Sequence, residues 1–90
     1  MKKAIITVVG QDTVGIIARV CTYLADNQVN ILNISQTIID GYFNMMMITD
    51  ISAATKHVAE ISEDLKELGK DMGLVIRCLL EDIFTSMHRI

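Results

Sequence analysis

A four-stranded antiparallel sheet with two helices packed on one face, in the chain order β-α-β-β-α-β, is the α+β fold that this sequence predicts. Three observations point to it. The hydrophobic period switches repeatedly between two residues and 3.6 residues along the chain. Asp40-Gly41 stands between two strand-like runs, the signature of a two-residue hairpin turn. Helical stripes separate the other strands, so each half reads as β-α-β, and two such halves joined at a hairpin make a split, ferredoxin-like sheet. Right-handed crossovers then put both helices on the same face.

The first element runs from Lys3 to Val9, apolar and rich in β-branched residues, and Gly10 closes it. A helix is expected from Thr13. Ile17, Val20, Cys21, Leu24 and Ala25 fall at i, i+3, i+4, i+7 and i+8, one face of an amphipathic helix. Asp12 or Thr13 is placed to cap its first turn. Asp26-Asn27-Gln28 closes it, with Asn27 expected in the left-handed conformation.

Ile31 to Ile39 is the second strand and Tyr42 to Ile51 the third, joined at Asp40-Gly41. Alternation assigns Phe43, Met45 and Met47 to one face, and Tyr42, Asn44, Met46 and Ile48 to the other. The helical period returns from Ala54, where Val58, Ile61, Leu65, Leu68 and Met72 step by three and four. The charged residues Glu60, Glu63, Asp64, Lys66, Glu67 and Lys70 lie off that stripe, a solvated face. Leu74 to Leu80 is the fourth strand. Ile83, Phe84, Met87 and Ile90 are spaced as a short C-terminal helix over residues 81–90. The chain thus divides into a domain over residues 1–80 and an extension over 81–90.

Composition narrows the function. The 90 residues carry a net charge of −3, and 51% are hydrophobic. Such a chain is too apolar for disorder and is not a basic nucleic-acid module. Two cysteines cannot form a disulfide-dense scaffold. No apolar run approaches the roughly 18 residues of a membrane span, and the apolar start is cut short by Gly10-Gln11-Asp12. The expectation is a soluble cytoplasmic protein. Both faces of the strands carry apolar residues, whereas the two helices cover only one. The C-terminal segment or another subunit must cover the second, so the protein is expected to be a homodimer or a higher homo-oligomer.

The fold hosts several chemistries, and residues must choose among them. An RNA-binding sheet needs aromatics on its central strands and basic surroundings; the first strand has no aromatic residue and the charge is acidic. A metal carrier needs a Cys-x-x-Cys pair in the first loop, and Gln11 to Gly15 has no Cys. An acyl-phosphate hydrolase needs an Arg there, and Arg19 falls inside the helix. Gly10 and Gly15 are spaced as in a Walker loop, but Ile16-Ile17 stand where Lys and Ser/Thr are required. What survives is a strand running into a helix N-terminus through a Gly-containing turn. Outward-pointing amides and the helix dipole there favour an anion such as a carboxylate. The alternative account of the same residues is structural: Gly10 ends the strand, Asp12 caps, and Gly15 packs.

Asp12-x-x-Gly15-Ile16-Ile17, followed by Val20, Leu24 and Val29-Asn30-Ile31, resembles the ACT domain family, regulatory modules that bind amino acids and other small ligands. Ile34-Ser35-Gln36-Thr37, the hairpin and Phe43-x-Met45 look closer still to the small stand-alone ACT proteins of bacteria, which are similar to the first domain of the glycine cleavage system repressor. The resemblance covers roughly residues 3 to 80. It implies a small-molecule ligand, an amino acid, held between two subunits. The ligand would meet Asp12, Thr13, Val14 and Gly15 on one side and Asn30 and Ile31 on the other. The amides would take its carboxylate and Asp12 its ammonium group, while the Asn30 amide can both donate and accept. Many family members have a Gly where Gln28 stands; here Asn27 is expected to make the tight turn.

The remaining polar and sulfur residues read as structure. Cys21 and Cys78 are packed thiols. His57 and His88 have no spaced partner for a metal. Gln36 is an edge or solvent-facing position, and Met46 can face a partner. No nucleophile-base pair is visible, so no catalysis, cofactor, metal site, membrane contact or direct nucleic-acid contact is expected. A second reading keeps the fold but makes the protein an interaction module, docking a partner through the sheet face or the C-terminal segment.

Overall fold

The computed structural model describes residues 1–87. It contains β1 (Lys3–Gln11), α1 (Ile16–Asp26), β2 (Asn30–Ile39), β3 (Tyr42–Asp50), α2 (Val58–Met72), β4 (Leu74–Leu80) and α3 (Glu81–Met87). The strands form one antiparallel sheet in the order β2-β3-β1-β4. Ile90 of the expected C-terminal stripe, and the isolated His88, lie outside the described residues.

The hairpin is as predicted. Asp40 and Gly41 both have positive φ, 51° and 80°, as a type I′ turn requires. The alternation of β3 also holds. Phe43, Met45, Met47 and Thr49 are buried against the helices, whereas Tyr42 and Met46 are exposed on the opposite, open face. Thr49 is the one hydroxyl in this row, and its Oγ1 donates to the Ala4 carbonyl at 2.8 Å, so its burial is satisfied. Ala4, Ile6 and Val8 of β1, Ile16, Val20 and Leu24 of α1, Ile61 and Leu65 of α2, and Leu74, Ile76 and Cys78 of β4 complete the core.

The helices begin later than the periodicity implied. α2 starts at Val58, with Ala54 in the preceding loop, partly buried against the core. Within α2, Gly69 is buried where the helix meets β4. A Cβ built there would sit 2.7 Å from the Leu74 carbonyl oxygen, so α2 lies on β4 closer than any side chain permits. α1 starts at Ile16 rather than Thr13. Neither Asp12 nor Thr13 caps it: the N-cap residue is Gly15, with φ 89° and no side-chain hydrogen bond. A Cβ at Gly15 would meet nothing within 4 Å, so it is the left-handed backbone, and not packing, that calls for glycine.

At the other end of α1 the left-handed residue is Gln28, φ 59°, and not Asn27, φ −105°. Asn27 has another task. Buried, it donates from Nδ2 to the Tyr23 carbonyl at 2.9 Å, and its own carbonyl accepts from the Thr55 N–H at 3.1 Å. The turn therefore falls one residue later than expected, at Gln28.

The open face is partly covered. α3 follows β4 without a loop and packs against β1 and β4. Ile5, whose side chain points to that face between Ile48 and Leu79, is only 5% exposed. Farther along, Val9, Tyr42, Met46 and Val75 remain exposed.

Candidate ligand-binding site

The first half of the expected site is a short loop braced by the hairpin. β1 continues through Gln11, opposite Tyr42, and the Asp12 N–H then donates to the Gly41 carbonyl at 2.8 Å. Thr13 and Val14 lead to Gly15, whose carbonyl accepts the first helical bond, from the Arg19 N–H at 3.0 Å. No side chain caps the first turn of α1 and no acidic residue lies in it, so its amides and the positive end of the helix dipole are left to other partners. Asp12 and Thr13 are exposed, and Val14 is 99% exposed.

The second half lies at the start of β2. Asn30 is exposed and stands opposite Asp50, whose Oδ1 accepts from the Ser52 N–H at 2.9 Å. The hydrogen bonds from Ser52 hold the Asp50 carboxyl below its ordinary value of 3.8. Ile31 stands opposite Thr49, on the helix side, and packs against the core. Its backbone, rather than its side chain, is what it can offer a ligand.

One chain does not bring the halves together. Asn30 is level with Asp50 at one end of β3, whereas the Asp12 loop is level with Tyr42 at the other. Eight residues of extended strand separate the ends, roughly 27 Å at 3.4 Å per residue. Grooves on the described surface lie elsewhere, and two of them flank the helices and the sheet. A groove of about 370 Å³ runs along α1 past Ala18, Arg19, Thr22, Tyr23 and Asp26. A smaller one of about 240 Å³ crosses the open face between Thr7, Val9, Ser35, Thr37, Asn44 and Met46. Neither contains any of the six expected residues.

The profile of the ACT domain matches residues 2–79. The chain belongs to the ACT domain family. These are, in general, regulatory ligand-binding domains. Over all 90 residues the chain is 67% identical to a UPF0237 protein of Bifidobacterium longum, with both chains covered in full. Among solved structures, an ACT domain protein from Streptococcus pneumoniae superposes with a TM-score of 0.81 at 36% identity, covering 92% of this chain and 93% of that one. A putative glycine cleavage system transcriptional repressor shares the fold at 21% identity and a TM-score of 0.74, over 88% of this chain and 45% of its own.

Two features of this ACT domain were not legible as functional signals. Asn27 fixes the turn that presents Asn30, yet in sequence it reads only as a turn residue. The Tyr23 hydroxyl and the Lys56 ammonium both donate to Asp64 Oδ2, at 2.6 and 2.7 Å, which ties α1 to α2. Burial, then the bond to Asp64, push the Tyr23 hydroxyl well above its ordinary range. The Lys56 bond, then the Tyr23 bond, hold Asp64 low. Lys56 also lies 5.9 Å from the centre of the Tyr23 ring. The buried Cys78 thiol is pushed up to about 11 by desolvation, which keeps it protonated and inert. Among the described residues no helix is long and apolar enough to cross a membrane.

Proposed function

We propose that this chain is a non-catalytic regulatory protein of the cytoplasm that binds a small molecule, an amino acid, between two copies of itself. The observation that carries this reading is the separation of the Asp12 loop from Asn30. Each half presents exposed polar groups, and a second copy can set one against the other. The uncapped amides after Gly15 receive the carboxylate, Asp12 faces the ammonium group, and Asn30 of the other copy closes the site with backbone from Ile31. Thr13 and Val14 line the approach. Residues 1–80 form the binding domain, and residues 81–90 are an extension, of which α3 packs against β1 and β4.

Calorimetric titration with each of the standard amino acids tests the proposal. Binding by the wild type, weakened at least tenfold in both Asp12→Ala and Asn30→Ala, is the expected result. A folded dimer that binds none of them, with no thermal shift, sinks it.

One observation favours a second reading. Val9, Tyr42, Met46 and Val75 are exposed on the same open face, so a protein partner can dock there. Truncation after Glu81 separates the two. Loss of ligand response with assembly intact speaks against the interaction module, and loss of partner capture with ligand binding intact speaks for it.

A further inference from the structure

The groove on the open face of the sheet is lined by none of the residues assigned to the amino-acid site. Its volume of about 240 Å³ equals that of roughly eight water molecules, room for a one- or two-ring molecule. The strand register fixes its lining. Asn44 of β3 stands opposite Thr37 of β2 and Val9 of β1. Met46, two residues on, stands opposite Ser35 and Thr7. Phe43, Met45 and Val8 are buried on the helix side, so alternation turns these six side chains to the open face.

The chemistry of the lining is specific. Its side chains carry no formal charge. Thr7 and Asn44 are half-buried, yet among the described residues neither they nor Ser35 and Thr37 make a side-chain hydrogen bond. Polar groups partly withdrawn from water and left without a protein partner are free to serve a ligand. Met46, 40% exposed, sets a polarisable thioether between the Ser35 and Thr7 hydroxyls. Cross-strand neighbours lie about 5 Å apart, and successive residues of one face roughly 7 Å apart. A flat ring resting on Met46 is therefore bracketed by two hydroxyls and reaches the Asn44 amide along the strand.

We propose that this groove binds a neutral planar heterocycle with a cyclic amide edge, the chemistry of a pyrimidine or purine base. A side-chain amide is the complement of that edge. Asn44 Oδ1 accepts from the ring N–H while Nδ2 donates to the adjacent ring carbonyl, a paired contact that a lone hydroxyl cannot reproduce. The hydroxyls of Ser35 and Thr7 donate to, or accept from, the remaining polar atoms of the ring. A lining without formal charge selects against a carboxylate, a phosphate or a free amine, each of which would give up hydration without a counter-charge. Arg77, beside Thr7 on β4, stands at the rim. With an uncharged lining and a net charge of −3, the chain has no track for a phosphate backbone, so the occupant is a free small molecule and not a nucleic-acid strand.

Nuclear magnetic resonance titration of the isotope-labelled full chain with uracil tests the site. Saturable shifts are expected in the Asn44 side-chain amide and in the backbone amides of Thr7, Ser35 and Met46. Uracil methylated on both ring nitrogens has no N–H to offer and should bind at least tenfold more weakly. Asn44→Leu should lose uracil by a similar factor, with unchanged far-UV circular dichroism. Should Asn44→Leu fail to fold, Ser35→Ala alters only an exposed hydroxyl and carries the same test, with about a fivefold loss. Equal affinity for the two uracils, shifts confined to other surfaces, or no shift up to the solubility limit of uracil overturns the proposal. So does a uridine oligonucleotide that binds more than tenfold tighter than uridine, which would make the ligand a strand.

Discussion

The Tyr23 hydroxyl donates to Asp64 Oδ2 at 2.6 Å, joining two helices that otherwise make few contacts. The bond spans 41 residues and shares its acceptor with Lys56. Tyr23→Phe should cost about 1.5–3 kcal/mol, the net worth of a hydrogen bond to a charged group. The pH dependence has a definite sign. Asp64 is held below 3.8, so its contribution is complete above that pH and is lost as pH falls through the lowered value. Carbon-detected titration should show the Asp64 midpoint rising in Tyr23→Phe, and rising further in Lys56→Gln, because Lys56 is the larger cause. An unchanged midpoint in both would refute the shared acceptor.

Gly69→Ala opposes two effects of known size. Alanine gains about 1 kcal/mol of helix propensity. The new methyl, however, lies 2.7 Å from a backbone oxygen of β4 that cannot turn aside. Overpacking of this kind costs about 1–3 kcal/mol, so net destabilisation is expected in urea unfolding. A rise in the urea midpoint would mean that α2 can lift from β4 freely.

Gln28→Gly should go the other way. Gln28 holds φ 59° at an exposed turn position, and glycine relieves that conformation. A gain of about 0.5–1 kcal/mol is expected. Asn27→Gly should instead lose stability, since it removes the buried bond to the Tyr23 carbonyl. Equal effects at the two positions would show that the turn is not fixed as described.

Cys78 is buried and its thiol is raised from 9.0 to about 11. The unfolded chain therefore releases this proton first, and stability should fall as pH rises from 9.0 toward 11. Iodoacetamide at pH 8 should leave Cys78 unmodified in the native protein and label it after denaturation, as read by mass spectrometry of the peptides. Labelling in the native state would contradict its burial.

Much of this architecture was legible in the sequence, because its signals are periodic. The Asp40-Gly41 turn, the Phe43-Met45-Met47 row and the stripe from Val58 to Met72 each follow from side-chain spacing alone. What escaped was decided by backbone angles or by distant partners. Gly15 caps α1 without a side-chain bond, so the polar residues Asp12 and Thr13 drew the helix start too early. Asn27 gave up the left-handed position because its amide is occupied by the Tyr23 carbonyl. The six candidate site residues were named by resemblance, but their division between two ends of the sheet emerged only from the register of β3 against β1 and β2.

The strand order has a consequence for how the protein is made. β1 leaves the ribosome first, yet it lies between β3 and β4, and Ala4 pairs with Leu80. The β2–β3 hairpin can bind one side of β1 early. Its other side stays bare until β4 has been synthesised. For that interval a strand as apolar as Ala4 to Val9 is open to any passing edge, and the nascent chain is most prone to mispairing just before its last strand arrives.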